Sequence, residues 1–241
     1  MSIAQTVEKF VEQVPDGQIF GYQSMPNYAR SPSAVIKAVN RLVNKNQLER
    51  LSKGKFYVPK KGLLGVMKPS DSALIRSTLY KGKNLRGYIT GMALYNQLGL
   101  TTQMPSTIVI ASNGGTQTKD FGTIRIKTVI ARAPVEEKNV KILQYLDVLK
   151  DIKKIGDSDI NLSLKIMRQK ISKLSASEQK LLITTAKDFY SPQVKALTGL
   201  LMMSLTGDVV KALQETLNPT TIFKLSLDET QWPQAQTWNI R

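Results

Sequence analysis

The sequence predicts an α+β protein with an N-terminal helical unit closed by a β-hairpin, a small α/β unit and a mainly helical C-terminal region. Three observations predict it. Residues 1–60 mix helical periodicity with short β-branched and aromatic runs. Residues 70–133 contain two strand-like segments, "STIVIAS" and "TIRIKTVIAR", behind one helical stretch. From 134 to 218 apolar residues recur at helical spacing. The reading places a domain boundary near residue 60, with 61–241 as a second domain and 219–241 as its tail.

The N-terminal elements follow in order. Ile3, Val7, Phe10, Val11 and Val14 mark one face of an amphipathic helix. "PDGQIFGYQSM" supplies a turn and a short apolar segment, and Ser24 is expected to start a short helix, "MPNYA", ending near Arg30. Ser31 then Pro32 is a strong helix start, since serine caps an orphan N–H and proline fits the first turn. Val35, Ala38, Val39 and Leu42 form the core stripe of that helix. Ser33, Lys37, Asn40, Arg41 and Asn44 fall on its outer face. No Asp or Glu occurs between Asp16 and Glu49, so this face offers amide, hydroxyl and cationic donors and no carboxylate. Such side chains reach base edges and phosphates in a major groove. After it, "QLERLSKGKFYVP" reads as a hairpin whose turn carries Lys53 and Lys55. Helix, short helix, basic helix and basic-tipped hairpin is the order of a winged helix-turn-helix domain. The blander alternative is a solvated basic face on a small structural subdomain.

Beyond it, "VPKKGLLGVMKPSDSA" reads as a linker, partly packed as extended chain. Asp71 or Ser72 is expected to cap a helix through about Tyr80. Thr90 or Gly91 opens a helix through Leu98, closed by Gly99. "STIVIAS" reads as a buried strand, "NGGTQTKDFG" as a turn or loop, and "TIRIKTVIAR" as the partner strand carrying Arg125 and Lys127, with Arg132 at its end. Val140, Leu143, Leu146 and Leu149 or Val148 mark the next helix. Further helices are expected at about 159–173, 177–189, 191–205 and 207–217. Ser175 and Glu178 have capping-box spacing, and "TTIFKLSL" is expected as a final strand.

Charge and composition narrow the function. Of 34 basic and 18 acidic residues, 19 basic and 6 acidic fall in residues 1–135, so most of the +16 net charge lies there and points to a polyanionic partner. Cysteine and histidine are both absent. That removes disulfides, thiolate and imidazole metal sites, and most nucleophile–histidine chemistry. No apolar run approaches the ~20 residues a membrane helix requires. The N-terminus lacks the apolar stretch of a signal peptide, so a cytoplasmic protein is expected.

The segment "GQIFGYQSM…SPSAVIKAVNRLVNKNQLERLSKGKFYVP" followed by "GYITGMALYNQLGLTTQMPSTIVIASNG" resembles the AbiEi-type antitoxins of bacterial abortive-infection systems over about residues 1–135. The matching positions are Gly87, Tyr88, Gly91, Ala93, Leu94, Leu98, Gly99, Leu100, Thr101, Thr102 and Pro105. The resemblance implies a non-enzymatic repressor and antitoxin of a type IV toxin–antitoxin pair. Its implied partners are duplex DNA at its own promoter and a nucleotidyltransferase-like toxin, with no stable complex, cofactor or membrane needed. DNA-contact candidates are then Ser33, Lys37, Asn40, Arg41, Asn44, Lys53 and Lys55. Arg125, Lys127 and Arg132 are antitoxin-surface candidates, unless they are merely the solvent face of an edge strand. The "GYITGMALYNQLGL" residues themselves read as packing.

Two other segments suggest a magnesium-dependent nucleotidyltransferase: "NGGT" at 113–116 and "IGDSDINL" at 155–162. Some forty residues separate them, too many for a single phosphate-and-metal loop. Asp157 and Asp159 read instead as caps for the helix near Ile160, and "NGG" as a tight turn between two strands. No catalytic or metal-ligating residue is assigned. RNA binding through the basic middle segment is the remaining alternative.

Overall fold

The computed structural model describes residues 2–62, 65–203 and 207–241, except for the side chains of 61 and 207–209. The architecture is α+β, in two compact units, Met1–Arg86 and Gly87–Arg241.

The first unit begins with α1 (Ile3–Glu12), held by a reciprocal Ser2–Gln5 capping box. Next come β1 (Ile19–Gly21), α2 (Pro32–Asn44), β2 (Glu49–Ser52) and β3 (Lys55–Tyr57). The three strands form an antiparallel sheet in the order β1-β3-β2. This is the winged-helix order of elements without its second α-helix, and its core includes Val7, Phe20, Met25, Val35, Val39, Leu42, Leu48 and Phe56. One expected element is different. The α-helix expected at Ser24–Arg30 is replaced by a 3-10 turn at Tyr22–Ser24 and a run of turns. Met25 is extended before Pro26, and Asn27 takes φ 61°, so no α-helix propagates there. Tyr22 stacks on Tyr28 at 5.6 Å and meets Phe56 edge-on at 5.0 Å, fixing these turns to the sheet.

The first unit continues well past residue 60, where the boundary was expected. The presumed linker holds a small hairpin, β4 (Lys60–Gly62) with β5 (Gly65–Met67); its residues 63 and 64 lie outside the described residues. Then comes α3 (Asp71–Leu79), capped by Ser70 rather than Asp71 or Ser72. It packs on β1, and the Lys55 ammonium on β3 donates to the Ser77 carbonyl. A tight hairpin closes the unit, β6 (Tyr80–Lys81) with β7 (Asn84–Leu85).

The second unit contains a four-stranded sheet in the order β10-β11-β9-β8. Its strands are β8 (Gly87–Thr90), β9 (Thr107–Ser112), β10 (Gln117–Asp120) and β11 (Arg125–Ile130), and α4 (Met92–Gln97) connects β8 to β9. Strands β9 and β11 run parallel, so "NGG" is not the tight turn of a hairpin between them. The chain first forms β10 antiparallel to β11, inside the segment expected to be loop. That strand is polar and largely exposed, which hides it from periodicity. At Gly87 a Cβ would come within 2.6 Å of the Ala111 carbonyl, so glycine permits the close β8–β9 approach.

Helix α5 (Val140–Lys150) is buried nearly all round and packs against β8 and two later helices. Helices α6 (Ile160–Ser172), α7 (Ala176–Phe189), α8 (Pro192–Met202) and α9 (Gly207–Gln214) follow. The expected end of α8 at 205 lies outside the described residues. The Ser175–Glu178 capping box forms as expected. The "TTIFKLSL" strand does not; the tail makes one bridge, Phe223 with Ile240, and folds back on itself through Phe223 and Arg241. Trp238 is buried against Gly199, where a Cβ would sit 2.1 Å from the indole. Among the described residues no helix is long and apolar enough to cross a membrane.

Candidate nucleic-acid interface

The sequence of α2 determines the face it presents. Val35, Ala38, Val39 and Leu42 are buried, so Ser33, Lys37, Asn40, Arg41 and Asn44 are all exposed on the other side. Ser31 sits at the N-cap but its side chain makes no capping bond, contrary to expectation; Pro32 occupies the first turn. At the other end Asn46 adopts φ 56°. The Asn46 and Gln47 N–H groups donate to the Val43 and Leu42 carbonyls, a Schellman stop.

Two cations join this face that periodicity did not single out. Arg30 is exposed at its entrance. Arg50 on β2 donates through Nη2 to Asn40 Oδ1 at 2.9 Å, with its guanidinium 5.4 Å from the Phe56 ring centroid. Arg50 thus engages the Asn40 carboxamide oxygen and constrains that side chain. The signal was in the sequence, because Arg50 alternates with Leu51 on a strand next to the helix.

The β2–β3 turn brings Lys53 and Lys55 to different environments. Lys53 is exposed. Lys55 is half-buried and bonded to the Ser77 carbonyl and hydroxyl, so it serves to hold α3 and is not a second wing-tip cation.

Arg125, Lys127 and Arg132 do not form one row. Arg125 pairs with Asp120 at 2.9 Å, and both side chains are more than half exposed. The Gly122 N–H, and then Arg125, hold the Asp120 carboxyl below its ordinary range. Lys127 shares the Arg125 face, two residues along β11. Arg132 lies beyond the strand end. The strand of Arg125 and Lys127 is interior to the sheet, whose edges are β10 and β8.

The second unit buries a polar cluster that the sequence reading missed. Asp147 on α5 is 2% exposed. Its Oδ2 accepts from the Tyr88 hydroxyl at 2.9 Å and Thr90 Oγ1 at 2.8 Å. Its Oδ1 accepts from the Tyr190 hydroxyl at 3.2 Å and Lys150 Nζ at 3.2 Å. Burial, and then the Asp147 charge, raise the Tyr88 and Tyr190 phenols well above their ordinary range. Burial and Asp151 do the same to Tyr95. With both carboxylate oxygens doubly bonded to protein groups, the cluster is a locked junction between β8, α5 and the end of α7. The clue was "LDVL", a lone acid in a stretch apolar on every side.

The segments suggestive of a nucleotidyltransferase have local roles. Asn113 exchanges two hydrogen bonds with the Val135 backbone. Asp159 caps α6 by accepting from the Leu162 N–H at 2.8 Å. Asp157 does not cap it; at φ 55° it accepts from Gln103 instead. Among the described residues no three acidic groups converge as a cation site. A shallow cleft of about 290 Å³ lies beside Arg168, Leu200 and Gln234, with the Arg168 guanidinium 5.9 Å from the Trp232 ring centroid.

Comparison with known proteins adds the following. No curated protein matches the chain. Among solved structures, the crystal structure of the RV2827C protein from Mycobacterium tuberculosis is similar with a TM-score of 0.47 and 14% identity, covering 93% of this chain and 85% of that one. A family model matches residues 6–183, and the chain therefore belongs to DUF6088, a family of unknown function.

Proposed function

We propose that the chain binds duplex DNA through α2 and the β2–β3 turn and represses its own promoter. The observation that carries this is the outer face of α2: five exposed donor-bearing side chains, Arg30 and Arg50 beside them, and no carboxylate between Asp16 and Glu49. Placed in a major groove, Arg41 and the Arg50-oriented Asn40 read base edges, while Lys37 and Lys53 neutralise phosphates. The test is a salt titration of binding to promoter DNA. Each phosphate neutralised contributes about −0.9 to the log–log slope. A flat dependence, or no binding at low salt, sinks the reading.

The companion role, from the resemblance to AbiEi-type antitoxins, is non-enzymatic neutralisation of a nucleotidyltransferase-like toxin in the cytoplasm, without a stable complex. The second unit is the natural carrier, and the cut that isolates it falls at Arg86–Gly87, since α3 belongs to the first unit. Residues 87–241 should lose promoter binding yet rescue growth when the toxin encoded beside the gene is expressed. A folded fragment without rescue removes this role from the second unit.

A further inference from the structure

The first unit contains the same tripeptide in two hairpin turns. Lys53-Gly54-Lys55 runs through the β2–β3 turn into the first residue of β3, and Lys81-Gly82-Lys83 runs from the last residue of β6 through the β6–β7 turn. In both turns the glycine has positive φ, +73° at Gly54 and +63° at Gly82. The proposed interface uses only the first.

The fold joins the two turns. Lys55 leaves the first turn and bonds Ser77 in the last part of α3, which also packs on β1. Ser77 precedes Lys81 by two helical and two extended residues, which places their Cα atoms within about 10 Å of each other. The Lys55 side chain therefore ties α3, the helix that leads into the second turn, to the first wing. Lys81, Lys83 and Arg86 are all exposed, and Lys81 and Lys83 make no ion pair with a described residue. Between Arg50 and Arg86 there are ten Lys and Arg and one acid, Asp71, at the opposite end of α3. A solvated surface normally mixes both signs, and this one does not.

We infer that the β6–β7 turn is a second wing, whose Lys81, Lys83 and Arg86 contact the phosphates of duplex DNA flanking the segment that α2 reads. The inference rests on the DNA-binding reading. Duplex DNA carries one phosphate charge per about 1.7 Å of axis, so a cationic turn held beside a docked wing meets phosphate at almost any register. The contact is therefore independent of sequence. It adds affinity and footprint without altering which bases are preferred.

The experiment uses the full chain and compares wild type with the triple variant Lys81→Gln, Lys83→Gln, Arg86→Gln on promoter and random duplexes across a salt series. The expected result is a slope shallower by about 2–3, with both duplexes weakened by the same factor. The single variant Lys83→Gln, at an exposed turn residue, should flatten the slope by about 0.9, which keeps the test valid if the triple variant unfolds. Lys83→Arg should retain the wild-type slope. If wild type binds with a steep slope and neither Gln variant changes it, the second wing is wrong while the DNA-binding reading stands. If wild type shows no salt-dependent DNA binding, that reading falls and takes the second wing with it. A slope change seen on single-stranded RNA but not on duplex DNA also overturns the inference.

Discussion

Helices α2 and α5 use their polar side chains in opposite ways. On α2 they lie outside, and the one bond holding them to the protein face is Arg50 to Asn40 among the described contacts of the five. On α5 the Asp147 carboxylate points inward and accepts from Tyr88, Thr90, Tyr190 and Lys150. A buried polar group is costly unless satisfied, so the Asp147 cluster has its bonding capacity closed within the fold. An exposed face with unused donors imposes no such cost and retains its capacity for a ligand. The contrast teaches that the buried, mutually bonded groups around Asp147 hold the second unit's architecture together, whereas the exposed donors on α2 are the ones available to recognise something. Perturbed titration is a sign of function only where a cavity or open coordination accompanies it.

The sharpest way to break this comparison is Asp147→Ala. It strands the buried Tyr88 and Thr90 hydroxyls and takes one acceptor from Tyr190 and from Lys150, which keeps Asp151, and should cost about 3–5 kcal/mol, read from urea unfolding. Asp147→Asn should cost less, because the amide oxygen still accepts. Folded Asp147→Ala protein should bind DNA as wild type does. A loss under ~1 kcal/mol would show that the junction is not what couples β8 to α5.

Alkaline pH probes the same junction more gently. Tyr88, Tyr95 and Tyr190 have phenol pKa values raised by burial, so the folded state binds protons that the unfolded state releases. Their contribution is intact below the ordinary phenol value near 10 and is lost as pH rises above it, by about 1.4 kcal/mol per pH unit for each tyrosine. Urea midpoints measured from pH 8 to 11 should fall steeply above 10. Tyr88→Phe and Tyr190→Phe should start less stable, having lost a hydrogen bond, but decline with a shallower slope. Parallel slopes would mean that these phenols ionise in the folded state.

Much of this was legible in the sequence. The stripe of Val35, Ala38, Val39 and Leu42 fixes both the helix and its exposed face, and Ser175 with Glu178 fixes a helix start, because these signals are local. What was hidden depended on partners distant in sequence. Strand β10 has no apolar alternation and exists because β11 offers it an edge. Lys55 looked like a wing-tip cation until α3, more than twenty residues later, supplied the Ser77 carbonyl. The boundary at Arg86 rather than residue 60 has the same origin. The lone acid in "LDVL" was visible, but its role was not, because its hydroxyl donors come from β8 and from the end of α7.

The finest test separates cations within the first unit. Arg41 lies in the last turn of α2 on its exposed face, beside Asn40, and its guanidinium matches the two acceptors of a guanine; Lys53 sits on a turn, where an ammonium meets phosphate. Arg41→Ala should weaken promoter binding by about 1–3 kcal/mol and affect random DNA much less. Lys53→Ala should weaken both duplexes alike and by less, with the salt slope reduced by about 0.9. Neither change touches a buried group, so melting temperatures should remain at the wild-type value, in contrast to Asp147→Ala. If Arg41→Ala and Lys53→Ala shift promoter and random binding identically, α2 does not read bases, and its outer face acts only as a general cationic surface. If Arg41→Ala instead lowers the melting temperature, its guanidinium supports the fold, and the division between an unused face on α2 and a closed junction on α5 fails at its central residue.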